Sequence, residues 1–126
     1  PLYSSAASDV YKRQVYGSDV IVFGSPLYWY GPSAQMKVFL DRWYALTKPD
    51  NRERMRGKRG VLVTCFADGE PEAAEGLVIT LDKSFRYLGM DWAGRLLVSA
   101  GSRGDVSRNR EALERAYQLG IEIAGS

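Results

Sequence analysis

The chain contains no histidine among its 126 residues, so Ser-His and Cys-His catalysis and histidine-ligated metals are excluded from this segment. It has one cysteine, Cys65, which rules out an intrachain disulfide, a four-cysteine zinc site or an iron–sulfur cluster built from these residues alone. No apolar run approaches the ~18 residues of a membrane span, and no signal-peptide pattern opens the chain. Charge of one sign is also lacking: 17 Lys and Arg stand against 15 Asp and Glu, a formal +2, too little for a dedicated nucleic-acid binder. What is present is 45% hydrophobic and 25% charged, the composition of one soluble globular domain. These features make a cytoplasmic location the expectation, with neither nucleic acid nor membrane as partner.

Residues 4–14, SSAASDVYKRQ, back-translate into codons matching a transposase sequencing adapter, so 1–14 is expected to be non-native. The competing reading is a native N-terminal helix. On the first reading the genuine chain starts near Val15, and 15–126 is the C-terminal portion of a single domain.

From there strand and helix patterns alternate. Asp19–Gly24 and Gly60–Phe66 are short apolar runs rich in β-branched residues, the pattern of strands buried on both faces of a parallel sheet. Arg95–Ala100 predicts a third strand. Met36, Phe39, Leu40, Trp43 and Leu46 carry helical spacing, entered through Gly31, Pro32 and Ser33 and stopped by Pro49. A second stripe, Ala74, Leu77, Val78, Leu81, Phe85 and Leu88, ends at Gly89, where a helix C-cap glycine belongs. In the last helix Leu113, Ala116, Tyr117, Gly120 and Ala124 fall on one face, the expected packing face. The connector Lys48–Arg59 is basic; it reads as a solvated loop, with a phosphate patch as the alternative. Cys65 reads as a buried structural thiol. Three strand–loop–helix units predict an α/β fold with a doubly wound parallel sheet.

Ligands of such sheets sit beyond the C-terminal ends of the strands. Three loops lie there: Gly24–Pro32, Ala67–Pro71 and Gly101–Val106. The first carries three consecutive aromatics, Tyr28, Trp29 and Tyr30, where polar turn residues are the rule. They suit either a planar ligand or a hydrophobic lid on the helix below.

The stretch Asp19–Arg42, DVIVFGSPLYWYGPSAQMKVFLDR, closely resembles the flavodoxin-like NAD(P)H-dependent FMN reductases, in the branch that includes quinone reductases and iron–sulfur flavoproteins. The resemblance implies a flavodoxin-like sheet of order 2-1-3-4-5, of which this chain holds the last three strands. It implies FMN as cofactor and NADH or NADPH as electron donor. A small acceptor such as a quinone or a flavin would receive the electrons. It places Ser25, Pro26, Leu27, Tyr28, Trp29, Tyr30 and Gly31 around the isoalloxazine, with Ala67, Asp68 and Gly69 on its other side. Ser33, Gln35, Lys37, Asp41 and Arg42 would cap and face the helix, and no side chain is expected to act as acid, base or metal ligand. The family's phosphate-binding loop follows its first strand, upstream of these residues. The fragment itself is therefore expected to be inactive, and its parent a homodimer or homotetramer. Two rivals remain: a flavodoxin-type electron carrier without a nicotinamide site, and a flavin-free receiver-like module, which would need companion acids that Asp68 and Asp105 lack.

Overall fold

The computed structural model describes residues 5–125; residues 1–4, the front of the adapter-like span, and residue 126 lie outside them. Three parallel strands, β1 (Val20–Gly24), β2 (Arg59–Phe66) and β3 (Asp91–Ser99), form one sheet in the order β1-β2-β3. The three predicted strands are thus present. β3 starts earlier than its apolar run, because Asp91 and Trp92 continue the pairing with Arg59 and Gly60 and a bulge follows Gly60.

Helices α1 (Ser5–Gly17), α2 (Ala34–Asp41), α3 (Pro49–Glu53) and α4 (Glu75–Leu88) precede α5 (Asp105–Arg108) and α6 (Arg110–Gly125). The stripe expected as one helix over Met36–Leu46 divides. α2 ends at Asp41, and Arg42–Thr47 tighten into a 3-10 helix that buries Trp43 and Leu46. Ser33 caps α2, its hydroxyl accepting from the Met36 N–H at 3.1 Å. Pro49 does not merely stop a helix. It opens α3, whose first turn needs no donor there. Gly89 ends α4 at φ 71°, the left-handed cap the sequence predicts.

One face of the sheet is thickly covered. Phe23 and Leu62 point into a core with Trp43, Leu46, Leu77, Leu81, Phe85 and Leu88. Phe23 packs edge-on against Trp43 with centroids 5.7 Å apart and meets Phe85 at 5.4 Å. Gly60 lies where the Phe85 ring presses on the strand, and a Cβ would collide with it. α1 adds Val15 to this core and sets Tyr11 edge-on to Phe39 at 5.1 Å.

Among the described residues the other face is covered by α5 and α6. Leu96, Val98, Ala112 and partly buried Val63, Val106 and Leu119 pack there. Gly94 admits Leu119 as Gly60 admits Phe85. Two expectations fail on this face. β1 is not buried on both sides, since Val22 remains 61% exposed, and Cys65 is exposed rather than buried. α6 reaches β3 but leaves the β1 side bare. α6 also turns differently from expectation. It packs through Ala112 and Leu119, while Leu113 and Tyr117 face outward at 48% and 71% exposure. The small residues Ala116 and Gly120 blurred the stripe, and contact with Gly94 decided it.

The basic connector is engaged internally. Arg52 stacks on Tyr87, Arg54 sits 3.7 Å from the Tyr16 ring centre, and Arg56 pairs with Glu53. Lys58 is buried and donates to the Tyr16 and Ser18 carbonyls at 2.8 and 2.6 Å, capping the end of α1.

Candidate functional site

The loops after β1 and β2 meet at the C-terminal edge of the sheet. Ser25 starts the first loop. Its N–H donates to the Val63 carbonyl on β2, and its buried hydroxyl accepts from the Ser33 N–H at 3.0 Å while donating to the Pro26 carbonyl. Ser25 and Ser33 therefore pin both ends of the loop to one point. The segment between them stands up from the sheet.

Its crown is a two-residue hairpin. The Tyr28 N–H donates to the Gly31 carbonyl at 3.0 Å and the Gly31 N–H to the Tyr28 carbonyl at 3.1 Å. The two turn residues are Trp29 at φ 50° and Tyr30 at φ 66°. Both lie in the left-handed region, the conformation of a tight type I′ turn that Asn-Gly normally fills. For non-glycine residues it costs on the order of 1–3 kcal/mol each, and such strain concentrates at ligand clamps and switch regions. No apolar burial offsets it, because Trp29 is 95% exposed and Tyr28 and Tyr30 are 61% and 59% exposed. Of the two readings of the aromatics, the hydrophobic lid is therefore disfavoured: a lid would bury its rings.

Between this hairpin and the β2 loop lies an open cavity of about 220 Å³ lined by Leu27, Trp29, Tyr30, Phe66, Ala67, Asp68 and Ala73. Five of the sequence-predicted residues, Leu27, Trp29, Tyr30, Ala67 and Asp68, are thus brought together. Ser25, Pro26, Tyr28, Gly31 and Gly69 are not on its wall. Ser25 pins the loop, and Tyr28 and Gly31 commit their backbone groups to the hairpin. The Asp68 carboxylate accepts from the Glu70 N–H at 2.9 Å, which shapes the β2 loop into an Asx turn.

Phe66, Ala73 and Gly76 are the residues that sequence reasoning missed. The 3-10 helix Pro71–Ala74 brings Ala73 under the cavity. Gly76, in the first turn of α4, lies against the hairpin: a Cβ there would stand 2.6 Å from the Tyr30 carbonyl oxygen. An isolated glycine inside a helical stripe was the available signal, since such a glycine usually has a packing reason. The third loop does not join the cavity. Asp105 accepts from the Ser102 N–H at 2.8 Å and pairs with Arg108, closing that loop on itself. A larger cavity, about 420 Å³ beside Tyr44, Lys83 and Tyr87, lies between the helices of the covered face and touches neither strand-end loop.

The arrangement offers flat aromatic and apolar walls, open to solvent, with no cluster of metal-ligating side chains among the described residues. It can sandwich or edge a planar ring system; it holds no acid–base pair. The side chains present fit the ring of a flavin.

A sequence model of the flavodoxin-like fold family matches residues 3–119. A Bacillus subtilis protein, YwqN, which carries the provisional name of an NAD(P)H-dependent FMN-containing oxidoreductase, is 28% identical over 104 residues, covering 79% of this chain and 58% of its own length. An iron–sulfur flavoprotein of Archaeoglobus fulgidus is 33% identical over 117 residues, 92% of this chain and 50% of its own. Among solved structures, the Trp repressor binding protein of Bacillus subtilis superposes with a TM-score of 0.78 at 26% identity, covering 88% of this chain and 74% of that one. The chain thus spans 50–58% of the length of the curated relatives it matches.

Proposed function

The chain belongs to the flavodoxin-like fold family, and from that premise we propose that the cavity between the Tyr28–Gly31 hairpin and the Ala67–Gly69 loop holds the isoalloxazine ring of FMN. The observation that carries this reading is the strained hairpin: two adjacent aromatics in left-handed backbone, Trp29 almost wholly exposed, facing a cavity at the strand ends. Strain without burial is expected where the ring's partner is a ligand. The provisional name of the Bacillus subtilis relative, which includes FMN and NAD(P)H, supports the same reading.

In this proposal Trp29, Tyr30 and Leu27 cover one side of the ring and Ala67 and Asp68 approach the other. Ser25 and Ser33 keep the loop upright. Bound there, FMN supplies two-electron chemistry between a nicotinamide donor and a small acceptor, a quinone, a flavin or a metal centre. The protein's part is to orient the ring, exclude water from one face and leave the other open. No side chain needs to move a proton, which accords with the absence of histidine. The parent protein is accordingly an NAD(P)H-dependent oxidoreductase, placed in the cytoplasm and assembled as a homodimer or homotetramer. The carrier reading differs only in lacking a nicotinamide site, and steady-state NADPH oxidation with a quinone separates the two.

The test is flavin titration of the parent gene product. Trp29→Ala should weaken FMN binding by about 1–3 kcal/mol, as loss of a large aromatic contact does, and leave thermal stability within about 0.5 kcal/mol, as for an exposed surface position. Unchanged affinity would remove Trp29 from the site. A parent purified without flavin absorbance would remove the proposal.

A further inference from the structure

Gly76 is the second residue of α4, and nothing in its own conformation calls for glycine: its φ is not in the left-handed range. Alanine would be the better helix former there. The one demand on the position comes from outside the helix. A Cβ at residue 76 would stand 2.6 Å from the Tyr30 carbonyl oxygen and 3.7 Å from its carbon. A side chain in the way could rotate aside, but this obstacle is backbone. It belongs to a hairpin closed by two cross-bonds, with both turn residues already in left-handed φ.

We infer that Gly76 is a positioning residue: by letting the Tyr30 carbonyl rest on the first turn of α4, it fixes how far the aromatic hairpin stands from the cavity floor. The floor and the seat are parts of one segment, since buried Ala73 lines the cavity three residues before Gly76. A β-carbon at 76 would lift the hairpin off that segment and widen the gap between Trp29–Tyr30 and Ala67–Asp68. The consequence for a bound ring rests on the flavin reading of the cavity. The consequence for the hairpin does not.

The experiment therefore has two arms. In this chain, hydrogen exchange over residues 26–33 is compared for the unchanged protein, Gly76→Ala and Gly120→Ala, the last a helical glycine whose added Cβ meets nothing. Gly76→Ala should speed exchange of the Tyr28 and Gly31 amides at least tenfold, and Gly120→Ala should leave it unchanged. Should Gly76→Ala fail to fold, it is repeated beside Tyr30→Gly, which accepts left-handed φ without strain; the effect of Gly76→Ala should then shrink. In the parent protein, Gly76→Ala should weaken FMN binding at least tenfold. Unaltered hairpin exchange overturns the inference whatever the flavin result. A loosened hairpin in a parent that never binds flavin upholds the seat and removes the flavin reading. A loosened hairpin with unaltered FMN affinity overturns Gly76 as a positioning residue for the site.

Discussion

The two faces of the sheet are built from similar strands and end in different states. On one, Phe23, Leu62, Phe85 and their neighbours are sealed beneath α2, the Arg42–Thr47 turn and α4. On the other, α5 and α6 pack over β3 and reach Val63 of β2, while Val22 and Cys65 remain exposed. Each face even has its glycine indentation, Gly60 for Phe85 and Gly94 for Leu119. The difference teaches that strand composition records what a strand can bury, not what lies over it. β1 reads Val-Ile-Val-Phe, apolar on both sides, yet Val22 on one side stays 61% exposed, with no helix over it among the described residues.

The comparison is broken most directly at its two knobs. Phe85→Ala should cost about 3–5 kcal/mol, the range for emptying an aromatic site in a tight core. Leu119→Ala, partly exposed and free to collapse, should cost about 1 kcal/mol. Urea unfolding measures both, and equal losses would show the faces to be energetically alike. The glycines sharpen the point. Gly60→Ala must displace a fully buried ring and should cost about 1–3 kcal/mol, whereas Gly94→Ala meets the flexible end of Leu119 and should cost under about 1 kcal/mol.

A smaller effect tests α1 against the covered face. Burial pushes the Tyr11 hydroxyl up from 10.0 to about 12, the chief influence there, with Trp43 and Arg42 opposing. The folded state then holds its proton more tightly than the unfolded chain, so this contribution is intact below pH 10 and is lost as pH rises toward 12. The loss should be modest because the ring is only partly buried, and Tyr11→Phe should abolish it in alkaline thermal melts. The smallest change is expected on the bare face: Val22→Ser should alter stability by no more than about 0.5 kcal/mol in this chain. A large loss there would mean that the exposed side of β1 is covered in solution.

Much of the architecture was legible because it rests on local rules. The strands announce themselves through β-branched runs, and Ser33 and Gly89 mark helix ends by cap chemistry. Most of the cavity wall was legible too, because the aromatic run after β1 and the turn after β2 must share the strand ends. Three things were not. The break of the long stripe at Asp41 needed Trp43 and Leu46 to prefer a tighter turn over the core. The rotation of α6 was set by contacts distant in sequence, Ala112 on Leu96 and Val98 and Leu119 in the Gly94 indentation. The left-handed turn at Trp29-Tyr30 carries none of the Asn-Gly chemistry by which such turns are recognised.

The order of amino acids by itself determined the alternation of strand and helix, the exclusion of histidine and disulfide chemistry, and the unusual aromatic bend after the first strand. These depend on periodicity, inventory and near-neighbour sterics. Tertiary structure alone decided which side of each strand is covered, that the bend closes into a strained hairpin, and that Gly76 lies beneath it. Those outcomes arise where backbone from distant positions meets, Tyr30 on α4 or Leu119 on β3, and van der Waals contact between atoms dozens of residues apart leaves no periodic trace in the chain.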